Sequence, residues 1–122
     1  MTQIQKIIHD LFLHLAERGW DKPHPGTLAK SIIIEAAELL EHFQWSEHSV
    51  EEIQNDTQKL QKIQDELADV LIYCLEMAKI LDIDPEAIIR QKITSTAQKY
   101  PADQVKNNDK NYWDLKTKAR LE

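Results

Sequence analysis

The chain has 122 residues, of which 42% are hydrophobic and 30% are charged, and it carries a formal net charge of −6 and a single cysteine. A chain of this length is expected to form one domain whose core is stable without disulfides or structural metal ions. A single cysteine excludes a disulfide framework and a cysteine zinc site. The two glycines stand apart, which excludes a phosphate-cradling loop and a dinucleotide fingerprint, and the acidic balance argues against a nucleic-acid polymer as partner.

Apolar residues recur at helical spacing through almost the whole chain, so the sequence predicts an all-α fold, a bundle of four to five helices. The first helix is expected over residues 2–18, ending near Gly19. A loop then follows over residues 20–26, because each proline restricts itself and the residue before it. Thr27 is expected to cap a second helix over residues 28–45.

The third predicted helix is the longest. Ser49 and Glu52 have the spacing of a capping box ahead of it, and its apolar pattern continues to Leu81. The Asp84-Pro85 pair then predicts the start of a fourth helix, since aspartate is a good cap and proline suits the first helical position. This helix is expected to end near residue 99, before Pro101.

The chain is expected to form one helical domain over residues 1–101, followed by a polar tail over residues 102–122 that has room for a short helix. No apolar run approaches the ~18 residues of a membrane span. The first residues also lack the apolar stretch of a signal peptide. We therefore expect a soluble, cytoplasmic protein that does not bind a membrane.

Two pairs of acidic residues lie at helical spacing beside apolar stripes. Glu35 and Glu38 share the narrow polar arc of the second helix, and Glu66 and Asp69 border the apolar stripe of the third. Because a short connection makes these helices antiparallel neighbours, the four carboxylates are expected to converge. Two like charges about 4 Å apart repel by ~4 kcal/mol at an effective dielectric constant near 20, and a divalent cation removes this cost.

Oxygen ligands without cysteine or histidine at ligand spacing favour Mg2+, with Mn2+ as a substitute, over zinc or copper. A di-iron site is disfavoured because neither Glu35 nor Glu66 begins a Glu-x-x-His pair. From the residues alone, two other interpretations stay open. The acids can simply be solvated on a polar helix face, or Lys62 can form an ordinary salt bridge with Glu66 one turn later.

Three segments resemble the MazG-like nucleotide pyrophosphohydrolases, in particular their small dCTP pyrophosphatase branch. They are IEAAELLEHFQW (residues 34–45), DELADVLIY (residues 65–73) and KYP (residues 99–101), and the resemblance extends over about residues 8–105. It implies an all-α protein that assembles as a homodimer or homotetramer. The implied reaction is hydrolysis of a nucleoside triphosphate, with a dCTP-like substrate favoured, to the monophosphate and pyrophosphate as nucleotide-pool house-cleaning.

The resemblance also implies roles for particular side chains. Carried over residue by residue, it makes Glu35, Glu38, Glu66 and Asp69 the Mg2+ ligands. One of these carboxylates can take the proton of the attacking water, and Glu38 is our choice. The base is expected to lie between aromatic rings, for which the candidates are Trp20, Trp45 and Tyr73. Lys92 and Lys99 resemble the basic residues that face the triphosphate in the family. His24, in the predicted loop, is a further candidate for nucleotide contact.

The sequence departs from the family pattern at Ile34, Leu11 and Thr96. Ile34 stands where the wider family often has an acid, as in the small dCTP pyrophosphatases. Leu11 and Thr96 replace a histidine and an asparagine on the substrate side, so the base and the sugar stay open. The alternatives are a related dUTPase or phosphoribosyl-ATP pyrophosphohydrolase activity, and a non-enzymatic helical oligomerisation module with solvated acids. Oligomerisation is also expected because the second helix is apolar around more than half its circumference.

Overall fold

The computed structural model describes all 122 residues and contains seven helices and no strand. The predicted all-α fold class is therefore confirmed. The chain divides into two compact units, Met1–Ile83 and Asp84–Glu122. None of the helices combines the length and the apolar character that crossing a membrane requires.

Helix α1 spans Gln3–Ala16 and begins with a capping box. The Thr2 hydroxyl accepts a hydrogen bond from the backbone N–H of Gln5 at 3.2 Å, and the Gln5 side chain accepts one from the Thr2 N–H at 2.8 Å. These bonds satisfy N–H groups that have no partner inside the helix. After the helix, Gly19 adopts a positive φ of 72°, a conformation that glycine reaches without steric cost.

Helix α2 spans Pro25–Glu41, and the expectation that Thr27 caps it is wrong. The N-cap residue is His24, whose side chain makes no capping hydrogen bond, and Pro25 occupies the first helical position. Proline is well suited there because its fixed φ is helical and its missing N–H would have no partner in any case. The helix also ends at Glu41, earlier than the predicted 45.

The predicted long helix is interrupted once. Helix α3 spans Val50–Asn55 and helix α4 spans Thr57–Ile80, with Asp56 between them in an extended conformation. The predicted cap at Ser49 is confirmed, because its hydroxyl accepts the Glu52 N–H at 3.1 Å. The interruption arises because the Asp56 carboxylate accepts the backbone N–H of residue 59 at 3.0 Å, which favours a new helix start.

The second unit begins with helix α5, which spans Pro85–Lys99 as the sequence predicts. The Asp84 carboxylate accepts hydrogen bonds from the N–H groups of Glu86 at 3.0 Å and Ala87 at 3.2 Å. The tail contains two further helices, α6 over Ala102–Val105 and α7 over Asp109–Leu121. Helix α7 packs on both α5 and α6.

Within the first unit, α2 packs mainly on α4, and α1 and α3 also contact α4. The Lys59 ammonium, near the start of α4, donates a hydrogen bond to the backbone carbonyl of His42, just after the end of α2, at 2.9 Å. The two helices are therefore antiparallel, as predicted. This pairing places the middle of α2 beside the middle of α4, where the acidic residues of both helices lie.

The buried core of the first unit is small. It consists of four apolar side chains and one acid: Ile8, Leu15, Leu28, Ala78 and Glu76. Large apolar side chains of α2 and α4 stay exposed, and these are Ile33, Ile34, Leu40, Leu67, Leu71 and Ile72. The two central helices thus carry more apolar surface than this unit covers by itself.

Candidate metal centre

Three carboxylates from two helices meet in the first unit. Glu35 and Glu38 on α2 and Glu66 on α4 each offer an oxygen, and these oxygens all lie within 4.8 Å of one another. Glu35 and Glu38 are three residues apart, which puts them on one helix face, and the α2–α4 pairing supplies Glu66 opposite them. The convergence that the spacing predicts is present for these three residues.

Asp69 is outside this set of three, although it is close enough to affect it electrostatically. Its negative charge contributes to raising the pKa of both Glu35 and Glu66. Asp69 lies three residues after Glu66 on α4 and is exposed. It therefore borders the three-carboxylate cluster.

Glu35 has the most perturbed environment in the cluster. Its pKa is raised to about 6, first because its carboxyl group hydrogen-bonds that of Glu38, then by burial, and then by the negative charges of Glu38, Asp69 and Glu66. Its Oε2 atom is buried and has no hydrogen-bond partner. A buried polar atom without a partner is costly, and a cation bound among the carboxylates would remove that cost.

Glu66 is also shifted, and it has a basic neighbour. Burial is the largest cause that raises its pKa, followed by the charge of Glu38, while the charge of His42 opposes the shift. The Nε2 atom of His42 lies 3.8 Å from Oε1 of Glu66, and the two side chains are only 21% and 25% exposed. The basic neighbour of Glu66 is therefore His42, and no salt bridge joins Glu66 to Lys62.

His42 is a site residue that the sequence reasoning missed. In the sequence it shares the polar arc of the second helix with Glu35 and Glu38, but no role is predicted for it. The available signal was its position four residues after Glu38, which puts the two side chains on the same helix face. The signal was weak because nothing local indicates that Glu66 is its partner.

The donor chemistry of the cluster fits a hard divalent cation. Three carboxylates supply oxygen donors only, which is the ligand type that Mg2+ prefers in proteins and that Mn2+ accepts. The unpartnered oxygen of Glu35 is an observation on the fold itself that agrees with such an ion. Glu35, Glu38 and Glu66 could hold the cation, with Asp69 at the edge.

Among the aromatic candidates, Tyr73 lies near the cluster. Its pKa is raised, first by burial and then by the negative charges of Glu35, Glu76, Asp69 and Glu38. The remaining candidates of the first unit are exposed, and none of them hydrogen-bonds to an acidic side chain of the cluster. They are Trp20, His24 and Trp45. Trp45 is 87% exposed, so its ring faces are available for stacking.

The two basic candidates belong to the second unit. Lys92 and Lys99 are exposed residues of α5. The Lys99 ammonium lies 5.2 Å from the centre of the Tyr100 ring, a cation–π distance. Neither lysine forms an ion pair within the chain, so both have charge to offer an anion.

The fold and the cluster together define an all-helical protein with carboxylates, on two antiparallel helices, that could hold a divalent cation. Residues 30–115 match the sequence model of the MazG-like family. The match covers well over half of the chain, and the chain belongs to the MazG-like family.

Similar proteins of known name agree with this assignment. The chain is 30% identical over 102 residues to dCTP pyrophosphatase 1 of Homo sapiens and 35% identical over 103 residues to that of Mus musculus. Each alignment covers 82% of this chain and 60% of the relative, so the chain spans about 60% of the length of these relatives. The crystal structure of a pyrophosphatase from Archaeoglobus fulgidus superimposes with a TM-score of 0.71 at 35% identity, covering 83% of this chain and 94% of that one.

Proposed function

We propose that this chain is a Mg2+-dependent nucleotide pyrophosphohydrolase that converts a (deoxy)nucleoside triphosphate, with a dCTP-like substrate favoured, to the monophosphate and pyrophosphate. The observation that carries the proposal is the meeting of three carboxylates within 4.8 Å across α2 and α4. Relatives that are named dCTP pyrophosphatase 1 support the substrate class, and the family match supports the reaction class.

In this proposal the carboxylate cluster would hold the cation. Its ligands would be Glu35, Glu38, Glu66 and Asp69, because a divalent cation removes the repulsion between their negative charges. Such a cation would polarise the phosphate and lower the pKa of a water molecule. Glu38 is proposed to accept the proton of the attacking water, since its carboxylate lies inside the cluster.

The remaining candidates bind the nucleotide. Tyr73 lies beside the cluster, and Trp20 and Trp45 have exposed rings on which a base can stack, with ~1–3 kcal/mol for each stacked base. His24 contributes a polar group from the start of α2. Lys92 and Lys99 offer positive charge to the triphosphate.

The active form is proposed to be a cytoplasmic homodimer or homotetramer. The apolar side chains that α2 and α4 leave exposed support this assembly, because exposed apolar surface of this extent marks an interface. The single cysteine is compatible with a reducing compartment.

The test is a panel of canonical and modified nucleoside triphosphates, assayed with Mg2+ and with EDTA, in which the products are separated. We expect monophosphate and pyrophosphate in the presence of Mg2+ and no turnover with EDTA. Diphosphate and orthophosphate as products would contradict α–β cleavage. The same panel separates the dCTP-like activity from a dUTPase, through its uracil substrate, and from hydrolysis of phosphoribosyl-ATP.

A matched set of variants tests the carboxylates. Glu38→Gln and Asp69→Asn should each lower kcat/KM by at least ~100-fold, because each removes a charged oxygen ligand while keeping the side-chain size. Glu51→Gln on the exposed face of α3 is the control and should keep full activity. The helical circular dichroism signal should be unchanged in all three. An equal loss in the Glu51 variant would mean that the assay reports folding.

A further inference from the structure

His42 is held by α4 at two points. Lys59 of α4 donates a hydrogen bond to the backbone carbonyl of His42 at 2.9 Å, and Oε1 of Glu66 lies 3.8 Å from its Nε2 atom. Lys59 and Glu66 are seven residues apart, about two helical turns, so they lie on the same face of α4. One face of α4 therefore contacts both the backbone and the imidazole of His42.

The hydrogen bond from Lys59 to the His42 carbonyl limits the positions that the His42 imidazole can occupy. His42 is the C-cap residue of α2, and carbonyl groups at a helix C-terminus lack partners inside the helix. Lys59 supplies one of these partners from α4, and its ammonium also lies 5.9 Å from the centre of the Phe43 ring. The C-terminal end of α2 is thus attached to α4 next to the cluster.

We propose that His42 is a positioning residue for Glu66 and that Lys59 keeps His42 in place. The inference deepens the proposed function and rests on it, because Glu66 is there a ligand of the cation. The imidazole of His42, whose Nε2 atom lies 3.8 Å from Oε1 of Glu66, restrains through this polar contact a carboxylate that otherwise has several side-chain rotamers. A ligand that is restrained before the cation arrives loses less conformational entropy on binding, so the affinity is higher.

A merely structural role for His42 makes a different prediction. If the imidazole only fills space between α2 and α4, an apolar side chain of similar size replaces it without changing the affinity for the cation. If it restrains Glu66 through the polar contact, a side chain that retains a polar nitrogen at this place is required. The pair His42→Leu and His42→Gln separates these two roles.

The chain also offers a matched control. His48 and Glu52 form a second histidine–glutamate pair at 3.4 Å, with Glu52 64% exposed. Neither residue belongs to the carboxylate cluster. Replacing His48 therefore removes a comparable contact at a place where the proposal expects no effect on the cation.

The experiment measures the Kd of Mn2+ for the full chain from the electron paramagnetic resonance signal of free Mn2+. His42→Leu should weaken binding by 10- to 100-fold, a range typical of lost ligand-positioning contacts. His42→Gln should stay within about threefold of the wild type, and Lys59→Met should weaken binding by several-fold, because His42 is then less well placed. His48→Ala should leave the Kd unchanged.

Three outcomes would overturn the inference. Equal Kd values for the wild type and both His42 variants, or equal losses in both, would show that the imidazole does not act through its polar contact with Glu66. No Mn2+ binding by the wild type would instead remove the metal site of the proposed function and this inference with it. Thermal unfolding of each variant, monitored by circular dichroism, verifies that the Kd values refer to folded protein.

Discussion

At the scale of single residues, acidic side chains are placed where ionisation is costly. Glu35 has a pKa raised to about 6 by its hydrogen bond to Glu38, by burial and by neighbouring negative charges. Glu76 is only 5% exposed, forms no ion pair, and has its pKa raised by burial. In both residues the folded chain disfavours ionisation relative to the ordinary carboxyl pKa. They differ in that Glu35 belongs to the carboxylate cluster, while Glu76 does not.

This difference leads to a prediction about pH and cations. The pKa of Glu35 rises from an ordinary value of 4.5 to about 6, so the protonated carboxyl stabilises the fold below pH 4.5 and this contribution is lost as the pH rises through 6. In EDTA, Glu35→Gln should therefore have the same Tm as the wild type at low pH and a higher Tm at pH 7. Added Mg2+ should raise the Tm of the wild type more than that of the variant.

Glu76→Gln is the control for this prediction. The pKa of Glu76 is also raised, so its ionisation destabilises the fold as that of Glu35 does. The variant should therefore gain stability relative to the wild type as the pH rises. Its response to Mg2+, however, should equal that of the wild type. Differential scanning calorimetry at several pH values, with and without Mg2+, measures both quantities. A Tm for Glu35→Gln below that of the wild type at pH 7 in EDTA would contradict the raised pKa of Glu35.

At the scale of helices, the caps decide where each element begins. Asp56 is at once the C-cap of α3 and the N-cap of α4, and Asp84 caps α5 through two backbone N–H groups. The α4 cap lies close to the site. Helix α4 begins at Thr57, and Lys59 in its first turn donates the hydrogen bond to the His42 carbonyl.

We therefore expect Asp56→Ala to lower the free energy of unfolding by ~1 kcal/mol, the usual cost of losing an N-cap side chain. Asp56→Asn should retain most of the stability, because the asparagine side chain can also accept the Lys59 N–H. Urea unfolding followed by circular dichroism measures both values. Equal destabilisation by the two substitutions would show that the charge of Asp56, rather than its cap hydrogen bond, stabilises this junction.

At the scale of the whole molecule, the chain leaves apolar surface uncovered. Only four apolar residues are buried, whereas Ile33 on α2 is 71% exposed and Leu71 on α4 is 54% exposed. Transfer of such side chains out of water is favourable by ~25 cal/mol for each Å2 of apolar surface. The expected means of covering this surface is a second copy of the chain.

Sedimentation equilibrium should therefore give a mass at least twice the 14.2 kDa of the monomer. Ile33→Asp should shift the mass toward the monomer, because it would bury a charge in an apolar interface. Val50 has the same exposure of 71% but lies on α3, so Val50→Asp should leave the mass unchanged. A monomeric wild type at micromolar concentration would remove the proposed assembly.

Local signals in the sequence predicted much of this protein. The helical periodicity predicted the all-α fold, and Ser49 and Asp84 each predicted a helix start that the structure confirms. The spacing of Glu35 and Glu38 placed both carboxylates on one face of α2. These predictions succeed because periodicity and capping involve interactions within a few neighbouring residues.

Competition between nearby signals accounts for the errors. Thr27 and Pro25 are both suitable near a helix start, and the proline took the first helical position. Asp56 lies inside an apolar pattern that continues across it, so the periodicity hid the break between α3 and α4. The fixed φ of a proline determined the first boundary, and a hydrogen bond from a backbone N–H to the Asp56 carboxylate determined the second.

The sequence by itself thus determined the helices and which side chains share a face, because these depend on residues three or four positions apart. The tertiary structure decided which faces meet. It brought Glu66 to Glu35 and Glu38, left Asp69 at the edge of the cluster, and set the imidazole of His42 3.8 Å from a carboxylate that is 24 positions further along the chain. Such contacts depend on the register of α2 against α4, which comes from packing between helices rather than from the order of residues within either one.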